Sequence, residues 1–300
     1  INQWSILLKT HPTPNILLLG TLFGTTLVVS RFSVGQMSPL TYAGLRLGLA
    51  SLAFLLLYVC SNGSRKLPRD PAVWRHSMLL GVFGTAIPMF AFTASMQYQS
   101  SGVTSVLITV SPALTALMAH FMLADEHLDL RNGIGVALAF SGALLLTIRG
   151  ESGLPGISNA SPIGYGLVFF AILSTSSMNI FIRKKMSGYD SFDVASIRIG
   201  TAAVIILPLS AWTSRFDISK IDSNGWLAVL YAAVIGTFFA MLLDFANTKR
   251  FGATIAAMVS YVVPVVAVFI GVLFLGETVT VGMLAGMGFI IVGIWLIMTK

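Results

Sequence analysis

The chain has 300 residues, of which 56% are hydrophobic and only 10% charged, and its mean hydropathy is +0.87. Soluble proteins carry about a quarter charged residues, so this composition excludes a soluble enzyme and a disordered chain. Cys60 is the only cysteine, which excludes a disulfide scaffold. The net charge of +7 comes from short basic clusters between apolar stretches, a pattern typical of membrane topology signals rather than of nucleic-acid binding.

Ten apolar stretches approach the roughly 20 residues that a helix needs to cross a bilayer. In chain order, these predicted spans 1 to 10 are Asn15–Ser30, Ser38–Val59, His76–Met96, Gly102–Ala124, Asn132–Ile148, Pro162–Ile182, Phe192–Thr213, Trp226–Asn247, Gly252–Gly276 and Val281–Met298. The short connections leave no room for a soluble domain, and the stretches are about twice as long as a barrel strand. The sequence therefore predicts an all-α integral membrane protein with ten transmembrane helices.

The basic residues predict the orientation of these spans. With both termini on one side, that side collects twelve Lys and Arg residues and the other side four, while Arg46 and Arg198 lie inside spans. Because cytoplasmic loops carry the excess of basic residues, both termini are predicted to be cytoplasmic. We expect a multi-pass protein of the plasma (inner) membrane, with no cleavable signal peptide.

The sequence repeats itself at an offset of 151 to 152 residues. The matches are Leu45–Gly48 with Ile197–Gly200, Trp74 with Trp226, Gly84-Thr85 with Gly236-Thr237, Met89 with Met241, Glu126 with Glu277, Gly135 with Gly286 and Gly142 with Gly293. Two five-span halves are predicted, residues 1–150 and 151–300. Because five is odd, the second half enters the membrane upside down, as in the inverted repeats of secondary transporters. In each of the four pairs of equivalent loops, the loop predicted to be cytoplasmic has more Lys and Arg residues than its equivalent, as inversion requires.

One motif recurs in both halves: a span with an internal proline, an acidic residue at its end, and a glycine-spaced span. Its residues are Pro112, Ala124-Asp125-Glu126, Gly133, Gly135 and Gly142, and then Pro264, Gly276-Glu277, Gly282, Gly286 and Gly293. With the ten spans, this order resembles the EamA-type branch of the drug/metabolite transporter superfamily. The resemblance implies a secondary transporter, often an exporter of amino acids, metabolites or drugs, with spans 1–4 and 6–9 around a central cavity. Span 1 departs from the family pattern because it lacks a Trp that many members carry there.

Arg46 and Arg198 are the most costly side chains to place in a bilayer, each about two turns into a span. One interpretation is a site for an anion or carboxylate. The other is that each guanidinium caps helix carbonyls or reaches toward the interface. The presence of an arginine in both inverted halves favours a role in the shared scaffold, with Arg46 nearer the outside and Arg198 nearer the inside.

Polar residues whose equivalents in the other half are apolar are better candidates for substrate contact. Asp244, opposite Phe92, is the only carboxylate well inside a span and is the candidate for proton coupling. The alternative is a solvated acid at the inner end of span 8, close to Lys249 and Arg250. Tyr42, Asn179 and His120 share this asymmetry, and His120 is interpreted as interfacial. Glu126 and Glu277, at span ends in both halves, are predicted to have a helix-terminal structural role.

The predicted cavity wall combines soft, aromatic and polar side chains, which suit amphipathic organic ligands. Helix packing or contact with lipid is the alternative for each member. Four hydroxyl residues, Ser174 to Ser177, form with Asn179 a polar patch that we expect to face the cavity. The wall candidates on spans 3 and 9 are Met89, Phe92, Met96, Gln97 and Tyr261.

Prolines inside spans indicate bends, because proline removes a backbone hydrogen bond. Pro112 and Pro264 lie in the equivalent spans 4 and 9 and are candidate hinges for alternating access, with a static kink as the alternative. If they are hinges, the apolar residues beyond them, 121–123 and 274–275, are candidate gates.

No nucleotide-binding loop, catalytic motif or metal-ligand pattern occurs, so we expect neither an enzyme nor a cofactor. The predicted function is secondary active export of small amphipathic metabolites such as amino acids, with proton coupling as a hypothesis. Alternatives are a multidrug exporter, a phosphorylated-metabolite exchanger, a passive channel and, less supported, a membrane-embedded enzyme. The expected partners are a small-molecule substrate and the lipid bilayer, without nucleic acid, and the chain is expected to be a monomer or a homodimer.

Overall fold

The computed structural model describes residues 12–60, 67–122, 128–157, 161–186, 188–251 and 258–298. Within these ranges the regular structure is helical, apart from one isolated bridge between Leu154 and Ile157. The first half contains α1 Pro12–Ser33, α2 Pro39–Cys60, α3 Pro71–Gly81, α4 Ile87–Ser95, α5 Ser101–Ile108, α6 Ser111–Met122 and α7 Leu130–Arg149. The second half contains α8 Pro162–Lys185, α9 Ser191–Ser214, α10 Ser223–Ala233, α11 Ala240–Phe251, α12 Val259–Leu275 and α13 Val281–Met298.

Helix starts are set by short polar side chains, as capping requires. The N-terminal amide groups of a helix lack partners within the helix, and an Asp or Ser side chain supplies one. Each of these caps accepts a hydrogen bond from an N–H group two or three residues later in the chain. The caps are Asp70, Ser100, Asp129, Ser161, Asp190 and Asp222.

Eight helical stretches of the described chain are long and apolar enough to cross a membrane. Two shorter apolar helices follow them, Val259–Leu275 and Val281–Ile297. These ten stretches occur in the order of the ten predicted spans, and the all-helical prediction is confirmed. Residues 252–257, at the predicted start of span 9, lie outside the described residues.

Three of the predicted spans are not uniform α-helices. Spans 3 and 8 contain π-helical segments, Val82–Ala86 and Val234–Phe239, and span 4 is divided into α5 and α6 by a turn at 109–110. Pro112 lacks the N–H that would continue the hydrogen bonding of α5 into α6. Hydropathy did not reveal these interruptions, because the side chains remain apolar through them.

Helices α7 and α13 pack in antiparallel fashion through glycines. A Cβ atom added to Gly135 would lie 2.5 Å from the carbonyl oxygen of Gly293, and one added to Gly142 would lie 2.5 Å from that of Gly286. Small residues allow helix backbones to approach this closely. Because Gly135 is equivalent to Gly286 and Gly142 to Gly293, the two contacts are equivalent to each other.

The same relation holds between α2 and α9. Thr41 Oγ1 lies 3.0 Å from Ser210 Oγ at one end of the pair, and the Tyr58 hydroxyl donates to Asp193 Oδ1 at 2.9 Å at the other. At the repeat offset of 152 residues, Thr41 is equivalent to Asp193 and Tyr58 is equivalent to Ser210. The two helices are therefore antiparallel and pair through equivalent positions.

Connections between helices meet at one end of the molecule. The Ser100 N–H donates to the Ser152 carbonyl at 2.8 Å, and the Thr278 N–H donates to the Gly153 carbonyl at 2.9 Å. These bonds join the connections that precede α5, follow α7 and follow α12. All three connections are predicted to lie on the outer side.

Glu277, in the connection after α12, binds the start of α5 at this end of the molecule. Its carboxylate is 6% exposed and accepts hydrogen bonds from Ser101 N at 2.7 Å, Ser101 Oγ at 2.8 Å and Gly102 N at 3.1 Å. A carboxylate at a helix N-terminus pairs with free amide groups and with the helix dipole. The predicted helix-terminal role of Glu277 is confirmed, while Glu126 lies outside the described residues.

Candidate functional site

Arg46 of α2 joins the two halves of the chain. Its side chain is 8% exposed, its Nε donates to Thr237 Oγ1 at 2.6 Å, and its Nη2 donates to the Gly236 carbonyl at 3.3 Å. We call Arg46 with Gly236 and Thr237 the Arg46 clamp. Tyr42, one turn earlier, is fully buried, interacts with the Arg46 charge, and has its hydroxyl 2.9 Å from Ser30 Oγ.

Arg198 of α9 makes the equivalent contacts in the opposite direction. Its Nε donates to Thr85 Oγ1 and its Nη2 donates to the Gly84 carbonyl at 2.8 Å. Arg198, Gly84 and Thr85 form the Arg198 clamp. Each member of one clamp is 152 residues from its equivalent in the other.

The geometry of the π-helical segments makes both glycine carbonyls available. Pro88 has no N–H to bond with the Gly84 carbonyl four residues before it. In the second half Ala240 occupies the equivalent position, and its N–H bonds to the carbonyls five and three residues earlier, so it does not pair with Gly236. An arginine from the other half satisfies each carbonyl, and a buried carbonyl requires such a partner.

These contacts agree with the interpretation that each arginine caps helix carbonyls. Buried charge in a bilayer is tolerated where the group pairs with backbone oxygens or other polar atoms. Anion or substrate binding by the remaining guanidinium donors stays a prediction for both arginines.

Asp244 lies on α11 close enough to Arg198 for their charges to interact. Its carboxylate makes no hydrogen bond and no salt bridge with any described residue, and the side chain is partly exposed. The side chains of Lys249 and Arg250 are not described. A carboxylate without a bonding partner inside a predicted span is a candidate binding group for a cation or a proton.

The hydroxyl patch of α8 is divided between two roles. Ser174 donates to the Phe83 carbonyl in the π-helical segment of span 3, and Ser176 Oγ lies 3.4 Å from Ser111 Oγ on α6. Thr175 and Ser177 donate to carbonyls of their own helix. Asn179 is exposed. Ser174 and Ser176 therefore join helices.

The predicted cavity-wall residues do not form one continuous surface. Met89 packs on the cluster shared by α2 and α9, whereas Phe92 and Tyr261 pack on the cluster around α5 and α8. Met96 is 1% exposed, and Gln97 is exposed at the end of span 3. Their assignment to a transport cavity stays a prediction.

The two hinge candidates differ in local structure. Pro112 is the second residue of α6, directly after the break in span 4, whereas Pro264 lies within the continuous helix α12. Phe121 and Phe274, the described aromatic residues among the gate candidates, are strongly exposed, and residue 123 lies outside the described residues. The His120 ring Nδ1 accepts from the Leu128 N–H at 3.1 Å, so it ties the end of α6 to the following connection.

Among the clefts of the described surface are two that differ in size and lining. The larger, about 410 Å³, lies at the start of α7 beside Leu296 and is lined by Asp129 and Arg131. The smaller, about 70 Å³, lies among α5 to α8 and is mostly apolar. Neither contains the clamps or Asp244. Within the described ranges no three His, Cys, Asp or Glu residues come close enough to hold a metal ion.

Thr85 and Thr237 were not identified as candidate residues from the sequence. Threonine is common on apolar helices and costs little there, so neither residue stands out alone. The available signal was the repeated Gly-Thr pair at an offset of 152 residues, together with the repeated arginine.

Comparison with known proteins gives concordant results. The profile described as "EamA-like transporter family" matches residues 14–148 and again residues 162–299. A "Probable amino-acid metabolite efflux pump" of Salmonella typhimurium is 28% identical, with 93% of this chain and 92% of that protein covered. An "Uncharacterized inner membrane transporter YedA" of Escherichia coli is 27% identical, with 86% and 81% covered. A solved crystal structure, 19% identical, has a TM-score of 0.65 and covers 94% of both chains, which shows a shared fold.

Proposed function

Since the chain belongs to the EamA-like transporter family and is a multi-pass membrane protein, we propose that it is a proton-coupled exporter of small amphipathic metabolites such as amino acids. Transport proceeds by alternating access between the two halves. The substrate class is supported by the name of the Salmonella relative, and the coupling by the position of Asp244 beside Arg198.

The proposed topology has ten membrane-crossing helices in two inverted halves, residues 1–150 and 151–300, with both termini in the cytoplasm. Its support is the antiparallel pairing of α7 with α13 and of α2 with α9 through equivalent residues. Two halves related by a two-fold axis in the membrane plane require such pairing.

Cys60 provides a direct test of this topology. It is exposed at the end of α2, which the proposal places in the cytoplasm. We expect a membrane-impermeant maleimide to label Cys60 in inside-out vesicles and not in intact cells. A Cys60→Ser, Lys220→Cys variant, with its cysteine in an exposed connection of the other side, should give the reverse pattern. Labelling of both positions from the same side would contradict the orientation.

The observation that carries the proton coupling is the carboxylate of Asp244, which forms no hydrogen bond or salt bridge with the described part of the chain. Arg198 supplies the nearby positive charge, and the hydrogen bonds of Arg198 to Thr85 and Gly84 keep it close to Asp244 without a direct salt bridge. Asp244 binds either a proton or the ammonium group of a substrate, because one carboxylate cannot hold both. Competition of this kind exchanges protons for substrate across the membrane.

Replacing Asp244 with asparagine is expected to abolish proton-driven transport while leaving the fold intact, because asparagine keeps the shape and loses the titratable charge. The measurement is uptake of radiolabelled amino acids by inside-out proteoliposomes, with and without an imposed pH gradient. Asp217→Asn is the matched control, since Asp217 is exposed in the connection after α9. Unchanged gradient dependence in Asp244→Asn would remove the coupling role of this residue.

The proposed substrate contacts are the partly exposed residues Met89, Phe92, Ser174 and Tyr261 and the exposed residue Asn179, with Gln97 at the outer entrance. Tyr42 and Met96 are enclosed in this conformation and support the cavity by packing. Pro112 and Pro264 are proposed to permit bending of spans 4 and 9.

Exchange of phosphorylated metabolites is the second candidate function. Arg46 supports it, because the partners recorded for its guanidinium are all neutral, namely Thr237, Gly236 and Tyr42. A thermal-shift screen in detergent separates the candidates, because a bound ligand raises the apparent stability of the folded state. Stabilisation by phosphorylated sugars and not by amino acids would favour the exchanger, and stabilisation by cationic drugs a multidrug exporter.

A further inference from the structure

We propose that Thr85 and Thr237 are positioning residues for Arg198 and Arg46, and that the two clamps close opposite sides of the transport path. This inference rests on the proposed alternating-access function. It assigns to two threonines a role in transport that the proposed coupling by Asp244 does not contain.

Both threonine hydroxyls use their donor and their acceptor. Thr237 Oγ1 accepts from Arg46 and donates to the Ala232 carbonyl at 2.8 Å, five residues earlier. Thr85 Oγ1 accepts from Arg198 and contacts the Leu80 carbonyl, also five residues earlier, at 3.4 Å. The hydroxyl thus links the guanidinium to a carbonyl in the last turn of the α-helix that precedes the π-helical segment. Valine has nearly the same shape and forms neither bond.

The clamps cross the boundary between the halves. The Arg46 clamp joins α2 of the first half to span 8 of the second, and the Arg198 clamp joins α9 of the second half to span 3 of the first. Movement of one half against the other must lengthen these bonds. Because inversion places equivalent residues at opposite depths, opening on one side strains one clamp more than the other.

The two clamps have different neighbours, which makes them respond differently. Arg198 lies within electrostatic reach of Asp244, whereas Arg46 has the uncharged Tyr42 beside it. A proton or an ammonium group that neutralises Asp244 therefore alters the field at the Arg198 clamp and leaves the Arg46 clamp almost unchanged. Binding of a proton or an ammonium group at Asp244 thereby affects the clamp on the inner side and not the clamp on the outer side.

Met89 and Met241 are suitable reporters of the two sides. They are equivalent residues, and both are partly buried against the cluster that contains Leu47, Phe54 and Ile199. The proposed topology places Met89 in the outer half of span 3 and Met241 in the inner half of span 8. Met89→Cys and Met241→Cys are made separately in a Cys60→Ser background and labelled with a membrane-impermeant maleimide from either side.

Thr85→Val is expected to raise the rate of labelling of Met241→Cys from the cytoplasmic side about fivefold, because loss of the hydrogen bond between the two halves, worth about 1 kcal/mol, shifts a two-state ratio by that factor. Thr237→Val is expected to raise labelling of Met89→Cys from the outside by a similar factor. Thr85→Ser and Thr237→Ser, which keep the hydroxyl, should restore the original rates. General loosening of the fold would instead raise labelling at both reporters in each variant.

Equal increases at both reporters, or no increase at either, would overturn the proposal. If Thr85→Val is not recovered as folded protein, Arg198→Lys replaces it, and Arg46→Lys likewise replaces Thr237→Val. Lysine keeps the positive charge but cannot donate from two nitrogens to the threonine hydroxyl and the glycine carbonyl together. If each reporter is labelled from one side only and the valine variants do not change this pattern, the clamp proposal is refuted and the transporter mechanism is not. Labelling of both reporters from both sides before any threonine is changed indicates a continuous pore and refutes the transporter mechanism itself.

Discussion

Replacing Gly142 with leucine is expected to separate α7 from α13 and to lower the apparent melting temperature in detergent by about 5–10 °C. The reason is steric. A Cβ at this position lies 2.5 Å from the Gly286 carbonyl oxygen and 2.8 Å from Ile290 Cγ1, so even the first added carbon meets backbone. Backbone atoms in a packed helix pair cannot move aside without separating the helices.

Gly133→Leu is the matched control for this variant. Gly133 lies on the same helix, and a Cβ there meets no atom within 4 Å. Thermal unfolding followed by tryptophan fluorescence, with size-exclusion profiles before and after heating, compares the two variants. Equal melting temperatures for Gly142→Leu and Gly133→Leu would show that the α7–α13 contact does not stabilise the protein.

Replacing Glu277 with alanine is expected to cost about 3–5 kcal/mol of stability, because it removes the acceptor for three buried donors. Two of them are the amide groups of Ser101 and Gly102 at the start of α5, which have no helical partner. The loss should loosen the end of the molecule where the connections before α5 and after α12 meet. Hydrogen exchange measured by mass spectrometry is expected to increase first at residues 100–103.

Glu151→Ala serves as the control for Glu277. Glu151 forms a salt bridge of 3.4 Å with Arg149, whose side chain is half exposed, and such pairs contribute little. Glu277→Gln keeps one acceptor oxygen and is expected to fall between the wild type and Glu277→Ala. A melting temperature for Glu277→Ala as high as that of Glu151→Ala would contradict the capping role.

The helical spans were predictable because each depends mainly on its own residues. A helix in a bilayer satisfies its backbone internally and needs only a sufficient apolar length. The predicted starts of α8, α9 and α13 agree with the observed starts within one residue. The internal repeat was visible for the same reason, since it is a property of the chain and not of its packing.

The breaks in these spans were less predictable. Pro88 and Pro112 indicated irregular geometry in spans 3 and 4, but span 8 has no proline at the equivalent position, where Ala240 stands. Its π-helical segment is stabilised by contacts that come from elsewhere, with Arg46 bonded to Gly236 and Thr237. Local sequence does not reveal a carbonyl that a distant arginine satisfies.

Charge and repetition in the sequence were sufficient to identify Arg46, Arg198 and Asp244 as the unusual residues, because a charged group inside an apolar span is costly wherever it points. They also determined that the chain is a membrane protein and that its spans fall into two groups of five. Only the tertiary structure decided which groups these residues meet: two threonines and two glycine carbonyls of the opposite half, and, for Asp244, no bonding partner among the described residues. The physical reason is that hydropathy acts residue by residue, whereas hydrogen bonds form between atoms that only the folded chain brings together.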